Sequence, residues 1–560
     1  MIHLQFWLYC VLISLALVGW GYLFLRLLGQ RSCKDKLSTH LVCGLVSATA
    51  LSQLTNLIIA MSDTLSITLL TTGAIVGLIQ ARHYRTSTNL VFLLTLLGAS
   101  SFTLVSPLHP DAGLYHLPTI KWFKESAIPL GVANTQFQIG LGFNSIALLL
   151  SSMFWVESLQ FSMFTLSPVI HALFLFVIWE KSFGHQRKQP LTKLFCLALL
   201  IFYLVFGKFI FLFGGTGSPS PDFIVTLLSF LSFIYFISAW ESQSSTDHIC
   251  LLFSISLAIT TKISQAPLSL LLLPHYRVFL SKEKFALIAA GLLCFLWIIR
   301  SFLNSGCFVF PAVSTCFDVS WFVGDDMIQR LNNAIVAGGR MLPYKTERIL
   351  LDFSWVKSWA QFHYTYHPFV QGLMRFIGLM AISTVALRIL LRKNISDLPK
   401  RPILFCFATS LVGSLFWFFT SPYPRFGFTF LTITTMTPFF LFLPKITETR
   451  IYRVLGLSIL TFGMIYFVTR PFLSFSGSHV GHFHWQSGYP QIPQAEVNQV
   501  QSNFGTVYYQ LQKQAGTSGQ CYLAPLPCTT QTLPNLHLKT FGRWKIYGSK
   551  AQEDHNKETL

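Results

Sequence analysis

Acidic residues are scarce in this chain: 21 Asp and Glu stand against 40 Lys and Arg in 560 residues, and 11% of all residues are charged. A soluble protein averages about 25% charged residues. The deficit excludes an ordinary soluble fold, and the 52% of hydrophobic residues places most of the chain in lipid. A basic leader is missing from Met1-Ile-His-Leu-Gln, and the first apolar run continues to Leu28 without a small-residue cleavage site. That predicts a first span and not a secretory signal peptide. Zinc spacings are missing too, since the close cysteine pairs read C-x8-C and C-x6-C. No basic groove interleaved with aromatics is present, which argues against a nucleic-acid partner. The formal net charge of +19 is instead carried by bases lying between apolar runs. Internal repeats are absent.

What is there is a series of apolar runs, near residues 3–28, 39–61, 64–80, 89–106, 161–179, 192–213, 222–240, 248–261, 264–280, 284–300, 367–391, 402–420, 426–443 and 453–469. Open sheet edges cannot face lipid, so these runs predict an all-α polytopic membrane protein with about 13–15 transmembrane helices. Basic groups follow alternate runs: Arg26 to Lys36, Arg82 with Arg85, Lys181 to Lys193, Arg277 to Lys284, Arg392 to Arg401, and Lys445 to Arg453. Keeping all six inside places both termini outside. The run 141–156 is too short for this count and reads as re-entrant or lying along the interface. Outer segments then fall at 106–140, 214–221 and 301–367. A transmembrane domain over 1–470 is followed by a small extramembrane region over 471–560. Cys307 with Cys316, and Cys521 with Cys528, lie in outer segments and suit disulfides in an oxidising compartment.

Charged residues at outer helix mouths are the candidates for chemistry. Asp111 ends Ser106-Pro-Leu-His-Pro-Asp111, directly after an apolar run, and Pro107 and Pro110 break the helix before it. Residues 114–125 mix Leu, Tyr, Ile, Trp and Phe with His116, Lys121, Lys124 and Glu125, a pattern that predicts an amphipathic helix on the membrane surface. Asp222 ends Ser218-Pro-Ser-Pro-Asp222. The plainer reading of both acids is helix capping. Two acids at outer mouths can also divide base and orienting roles, or share a divalent cation, the one cofactor left open. Lys262 interrupts two short apolar runs, and Arg300 ends a span. Arg425 lies in Ser421-Pro-Tyr-Pro-Arg425, against the positive-inside tendency, and its fork suits a phosphate. For Lys262 the plainer reading is snorkelling, and for Arg425 it is snorkelling or a structural pair with an acid. His479, His482 and His484 form H-x2-H-x-H without an acid or cysteine partner, so no metal site is assigned.

At these residues the chain resembles the GT-C superfamily of polytopic glycosyltransferases, and more closely a group of uncharacterised bacterial GT-C-like membrane proteins. The resemblance rests on Asp111-Ala-Gly-Leu-Tyr-His-Leu-Pro with Lys121-Trp122, and on Gly140-Leu-Gly-Phe-Asn-Ser145. It continues through Ser218-Pro-Ser-Pro-Asp222, residues 300–311, Trp321 and residues 421–426. It covers roughly residues 100–430. It implies transfer of a sugar from a polyprenyl-phosphate donor to a glycan, lipid or protein acceptor at the periplasmic face of a bacterial inner membrane. Asp111 would be the base, with His109, His116, Asp222, Lys262, Arg300 and Arg425 binding substrate. The pattern departs in offering His109-Pro110-Asp111 where an acidic pair would stand. Rival readings are a transporter or flippase for a lipid-linked glycan, a polysaccharide polymerase or ligase, and a non-catalytic assembly factor. A transporter would place its ionisable residues near mid-span; here most sit at outer helix ends.

Overall fold

A computed structural model describes residues 2–30, 36–106, 108–135, 140–183, 189–214, 217–340, 353–366, 368–391, 399–441, 492–512 and 519–549. Helices dominate. Among the described residues, eight are long and apolar enough to cross a membrane: α1 (Ile2–Leu27), α2 (Leu37–Ile58), α3 (Asp63–Ala81), α4 (Thr86–Val105), α7 (Leu166–Phe183), α9 (Pro221–Ser242), α12 (Lys284–Ser305) and α16 (Lys400–Thr420). Shorter apolar stretches occur in α8 (Pro190–Gly214), α10 (Ser245–Thr261) and α15 (Pro368–Leu391). The other helices are α5 (Leu117–Glu125), α6 (Ile146–Phe154), α11 (Tyr276–Ser281), α13 (Asp325–Gly339), α14 (Trp355–Tyr366) and α17 (Pro424–Phe440). The apolar run at 453–469, the 470/471 boundary and His479, His482 and His484 lie outside the described residues.

The bundle is knit by small residues. A methyl group on Gly19 of α1 would lie 1.9 Å from the Gly73 carbonyl oxygen of α3, and one on Gly44 of α2 1.9 Å from that of Leu17 in α1. Lipid gives apolar helices no hydrophobic reason to associate, so close backbone approach at glycine supplies the packing. α9 is the central helix, buried along almost its whole length. Its start lies beside the end of α10 and the start of α17, which sets three helix ends side by side.

Several segments differ from the sequence expectation. Residues 141–156, expected to be re-entrant or to lie along the interface, hold a short helix enclosed by protein, which speaks against the interfacial alternative and leaves the re-entrant one. Their nine-residue helix α6 is buried throughout, and at 1.5 Å per residue it is about 14 Å long, well short of a bilayer. The run 264–280 opens as a 3-10 helix, Ile263–His275, holding Pro267 and Pro274. α5 is not a surface helix: Leu117, Ile120, Trp122 and Phe123 are all buried. Lys124 explains part of this, since its ammonium lies 2.8 Å from Asp63 and donates to Ser66 of α3 at 3.0 Å. Lys181, counted among the inner positive charges, is buried in an ion pair with Asp247 at 2.5 Å.

Leu117, Ile120 and Phe123 pack into the helical core, and Trp122 is covered by Tyr508, Leu536 and Tyr547 of the C-terminal region, whose described residues form strands. β1 (Val497–Gln501) pairs antiparallel with β2 (Val507–Leu511), and β2 runs parallel to β3 (Cys528–Thr529). β4 (Leu536–Phe541) and β5 (Trp544–Ser549) form a hairpin. Leu130 N–H donates to Lys545 O and Tyr547 N–H to Leu130 O, each at 2.9 Å. At the hairpin tip Arg543 and Trp544 donate to the last carbonyls of α2, Ile58 at 3.1 Å and Leu57 at 3.0 Å. Disulfides join Cys307 to Cys316 and Cys521 to Cys528.

Ser106 and Ser421 are buried and make poor labelling sites. Glu125 is exposed close to the start of α3, and Asn503 is exposed in the C-terminal region that is tied to the end of α2, whereas His83 and Lys282 are exposed after α3 and before α12. A helix of 19 residues such as α3 covers about 28 Å, enough to cross the hydrocarbon. Cysteines placed at Glu125 and Asn503 should therefore react with an impermeant maleimide from the same side of the membrane, and cysteines at His83 and Lys282 from the other. Labelling of all four from one side would contradict a membrane-crossing bundle.

Candidate functional site

Two related motifs build the centre of the site. Ser218-Pro-Ser-Pro-Asp222 opens α9, and Ser421-Pro-Tyr-Pro-Arg425 opens α17. In each, the second proline is the first residue of its helix, where a missing N–H costs nothing. The charged residue therefore falls one place later in both helices. An acid there suits the positive end of the helix dipole, but an arginine there opposes it. Arg425 must be held by other charges, and it is. Its Nη2 donates to Asp111 Oδ2 at 3.1 Å, and its Nε lies 3.4 Å from Asp222 Oδ2. Lys262, where α10 ends, closes the group with its ammonium 2.5 Å from Asp222 Oδ1 and 3.7 Å from the Phe426 ring centre. Two carboxylates thus balance two cations.

Neither acid caps a helix. Asp111 makes no capping hydrogen bond, and Asp222 lies inside the first turn of α9, after the cap residue Ser220. Asp111 has φ −90° and ψ 3°, and a π-helical turn, Ala112–His116, follows it. Both features recur at functional positions. The two acids also differ in access. Asp222 is 10% exposed and held by both cations, whereas Asp111 is 25% exposed and touches only the guanidinium edge and His109. Asp222 is built as an anchor for Lys262 and Arg425. Asp111 is the more exposed of the two.

His109 packs beneath Asp111. Arg425 Nη1 lies 3.0 Å from His109 Nε2, and the Asp111 N–H lies 3.0 Å from His109 Nδ1. A neutral imidazole accepts at one nitrogen only, so one of these two donors must be released whenever the other bonds. His116 packs beside His109, ring centres 5.1 Å apart and planes tilted by 42°, and its buried Nδ1 has no hydrogen-bond partner among the described residues. Arg300 lies elsewhere: it is buried, donates to Asn56 at 3.1 Å and sits over the Phe123 ring. The sequence reading grouped it with Arg425; its contacts separate it from that group.

His109, Asp111 and His116 each offer one ligand atom, all within 4.8 Å of one another. Two imidazoles and a carboxylate suit zinc in kind. The arrangement fits poorly, because the Arg425 guanidinium already bonds Asp111 and approaches His109 where a metal would have to bind. It also bridges Asp111 and Asp222, the role a shared divalent cation was expected to fill.

Sequence reasoning missed Gln520, Lys121 and the ring of Phe426. Gln520 and the 523–524 backbone approach the Asp111 loop from the C-terminal region. The Cys521–Cys528 pair marked that loop as ordered, but nothing local in it pointed to Asp111.

The chain belongs to the family described as a domain of unknown function, DUF8201, which matches residues 2–432. No curated protein and no solved structure matches it. Every residue of the charged cluster lies inside the matched span, and β1 to β5 lie beyond it.

Burial holds the His116 imidazole well below the ordinary histidine value of about 6.5, and burial together with Arg425 holds His109 below it. An unfolded chain protonates these rings as pH falls through about 6.5, while the folded chain resists. Their contribution to stability is therefore present above about 6.5 and lost as pH falls through the folded values. The thermal midpoint in detergent should drop between about pH 7.5 and pH 5, and His116→Asn should lessen the drop. An equal drop in the variant would contradict this.

Proposed function

We propose that this DUF8201 protein is a GT-C-like glycosyltransferase of about 13–15 spans in a bacterial inner membrane, with both termini periplasmic. It moves a sugar from a polyprenyl-phosphate donor to an acceptor hydroxyl at the periplasmic face. The observation that carries this reading is Arg425, held between an open carboxylate and an anchored one, with Lys262 beside it.

The donor's tail stays in lipid and its phosphate meets Arg425 and Lys262. A guanidinium fork and an ammonium together suit a phosphodiester or phosphomonoester. The acceptor oxygen attacks the anomeric carbon from the side opposite the phosphate. The new C–O bond forms as the bond from that carbon to the phosphate oxygen breaks. The hydroxyl proton passes to Asp111, and the electron pair of the broken bond leaves on the phosphate. One displacement inverts the anomeric centre.

Charge moves in a closed circuit during this step. Asp111 loses its negative charge on taking the proton while the phosphate gains one. Arg425 touches Asp111 at 3.1 Å, so a small swing carries it from the one to the other. Donors already aimed at the place where charge develops lower the barrier without reorganising solvent. Arg425 must leave Asp111 Oδ2 before that oxygen takes a proton, so phosphate binding itself frees the base.

Purified protein in nanodiscs tests the assignment, with a polyprenyl-phosphate sugar and its acceptor. Asp111→Asn should lower turnover by about 10²–10⁴, the usual worth of a general base, with donor binding tightened, since the carboxylate that competes for Arg425 is gone. Arg425→Ala should weaken donor binding and lower turnover by about 10²–10³. Full turnover in folded Asp111→Asn would remove the base role, and unchanged donor affinity in Arg425→Ala would remove the phosphate role.

A further inference from the structure

The acid at the centre of the site is gripped from outside the bundle. The Gln520 carboxamide spans the Asp111 backbone, its Nε2 donating to Pro110 O at 2.6 Å while its Oε1 accepts from Gly113 N–H at 3.0 Å. Only this orientation of the amide satisfies both contacts, because its oxygen cannot donate and its nitrogen cannot accept. Two residues on, Tyr522 N–H donates to Gly113 O at 3.0 Å. The Tyr522 ring lies flush against Gly113, where an added methyl group would come within 2.5 Å of it. Lys121 then reaches across to the Leu523 and Ala524 carbonyls, each at 2.9 Å.

The gripping loop is itself tightly held. The Cys521–Cys528 disulfide closes it into a short ring. Tyr522 has φ +45°, a left-handed conformation that a bulky residue keeps only when its surroundings impose it. The loop leads into β3, which is paired with β2, so the grip is anchored in the C-terminal sheet. None of this segment lies within the family match at 2–432.

We propose that Gln520 is a positioning residue for Asp111, and that the disulfide-closed loop 520–528 of the C-terminal region completes the site. Asp111 opens the π-helical turn, its carbonyl accepting from Leu114 and Tyr115 N–H, while the Pro110 carbonyl and the Gly113 N–H beside it are bonded by Gln520 from outside the bundle. Gln520 adds one bond on each side, to the carbonyl of the Pro110–Asp111 peptide and to the N–H of the Ala112–Gly113 peptide, and so ties down the short stretch that carries Asp111. That holds the carboxylate at the distance from Arg425 that the charge transfer needs, where a misplacement of about 1 Å can cost 10²-fold in rate. The inference rests on Asp111 being the working carboxylate, but the grip itself is measured without activity.

Hydrogen–deuterium exchange on the full chain in nanodiscs reads it. Gln520→Ala removes the acceptor of the Gly113 amide, so peptides covering 106–118 should exchange about tenfold faster or more, with β4 and β5 unchanged. Gln520→Glu keeps an acceptor and loses the donor, and should fall between the two. Cys521→Ser should reproduce Gln520→Ala in the same peptides. With the polyprenyl-phosphate sugar as probe, Gln520→Ala should lower kcat while leaving the donor KM unchanged, since Arg425 and Lys262 are untouched. Wild-type exchange over 106–118 in Gln520→Ala would overturn the proposal. So would loss of protection throughout 492–549, which would make Gln520 a folding residue. Faster exchange in Gln520→Ala beside full turnover in Asp111→Asn would leave the grip standing and remove the sugar-transfer reading.

Discussion

Arg425 opens a helix whose dipole repels it, in a nearly buried setting, and two carboxylates from other parts of the chain hold it there. A charge removed from water without partners costs several kcal/mol or more, so Arg425 requires Asp111 and Asp222 to converge. That requirement fixes the relative positions of three stretches: the loop after α4, the start of α9 and the start of α17. Lys262 adds the end of α10 by the same logic, since Asp222 accepts from it at 2.5 Å. The rest of the bundle holds these helix ends in register through glycine-mediated contacts such as those of α1 with α2 and α3.

The cluster is balanced but not symmetric. Asp222 is buried and fully engaged, which suits a fixed counter-charge. Asp111 is more open, and its contacts are ones an arriving anion can replace. His109 cannot accept from both donors aimed at it, so one of its two contacts must yield in any case. Together these features describe a guanidinium with somewhere to go, which a purely structural ion pair does not need.

Much of this was legible in the sequence. Scarce charge and long apolar runs pointed to a helical membrane protein, and the Ser-Pro-x-Pro pattern before Asp222 and Arg425 marks two helix starts one residue before each charge. The placement of Arg425 against the positive-inside tendency singled it out, and the structure sets it between Asp111 and Asp222. The capping readings of Asp111 and Asp222 failed because capping is a local inference and these acids answer to partners far along the chain, Lys262 and Arg425. Arg300 was misgrouped for the same reason: its place at a helix end says nothing about which neighbour it faces. α5 carries an amphipathic pattern, but a pattern cannot tell lipid headgroups from a covering sheet. Gln520 was beyond reach, since a lone glutamine beside a cysteine has no signature until the fold brings it to Gly113.

The central claim is that Arg425 exchanges Asp111 for a lipid phosphate. A structure of the protein in nanodiscs with a polyprenyl phosphate bound tests it most directly. The account predicts the phosphate between Arg425 and Lys262, with the guanidinium withdrawn from Asp111 and still beside Asp222. A phosphate bound elsewhere, with Arg425 still bonded to Asp111, would contradict it.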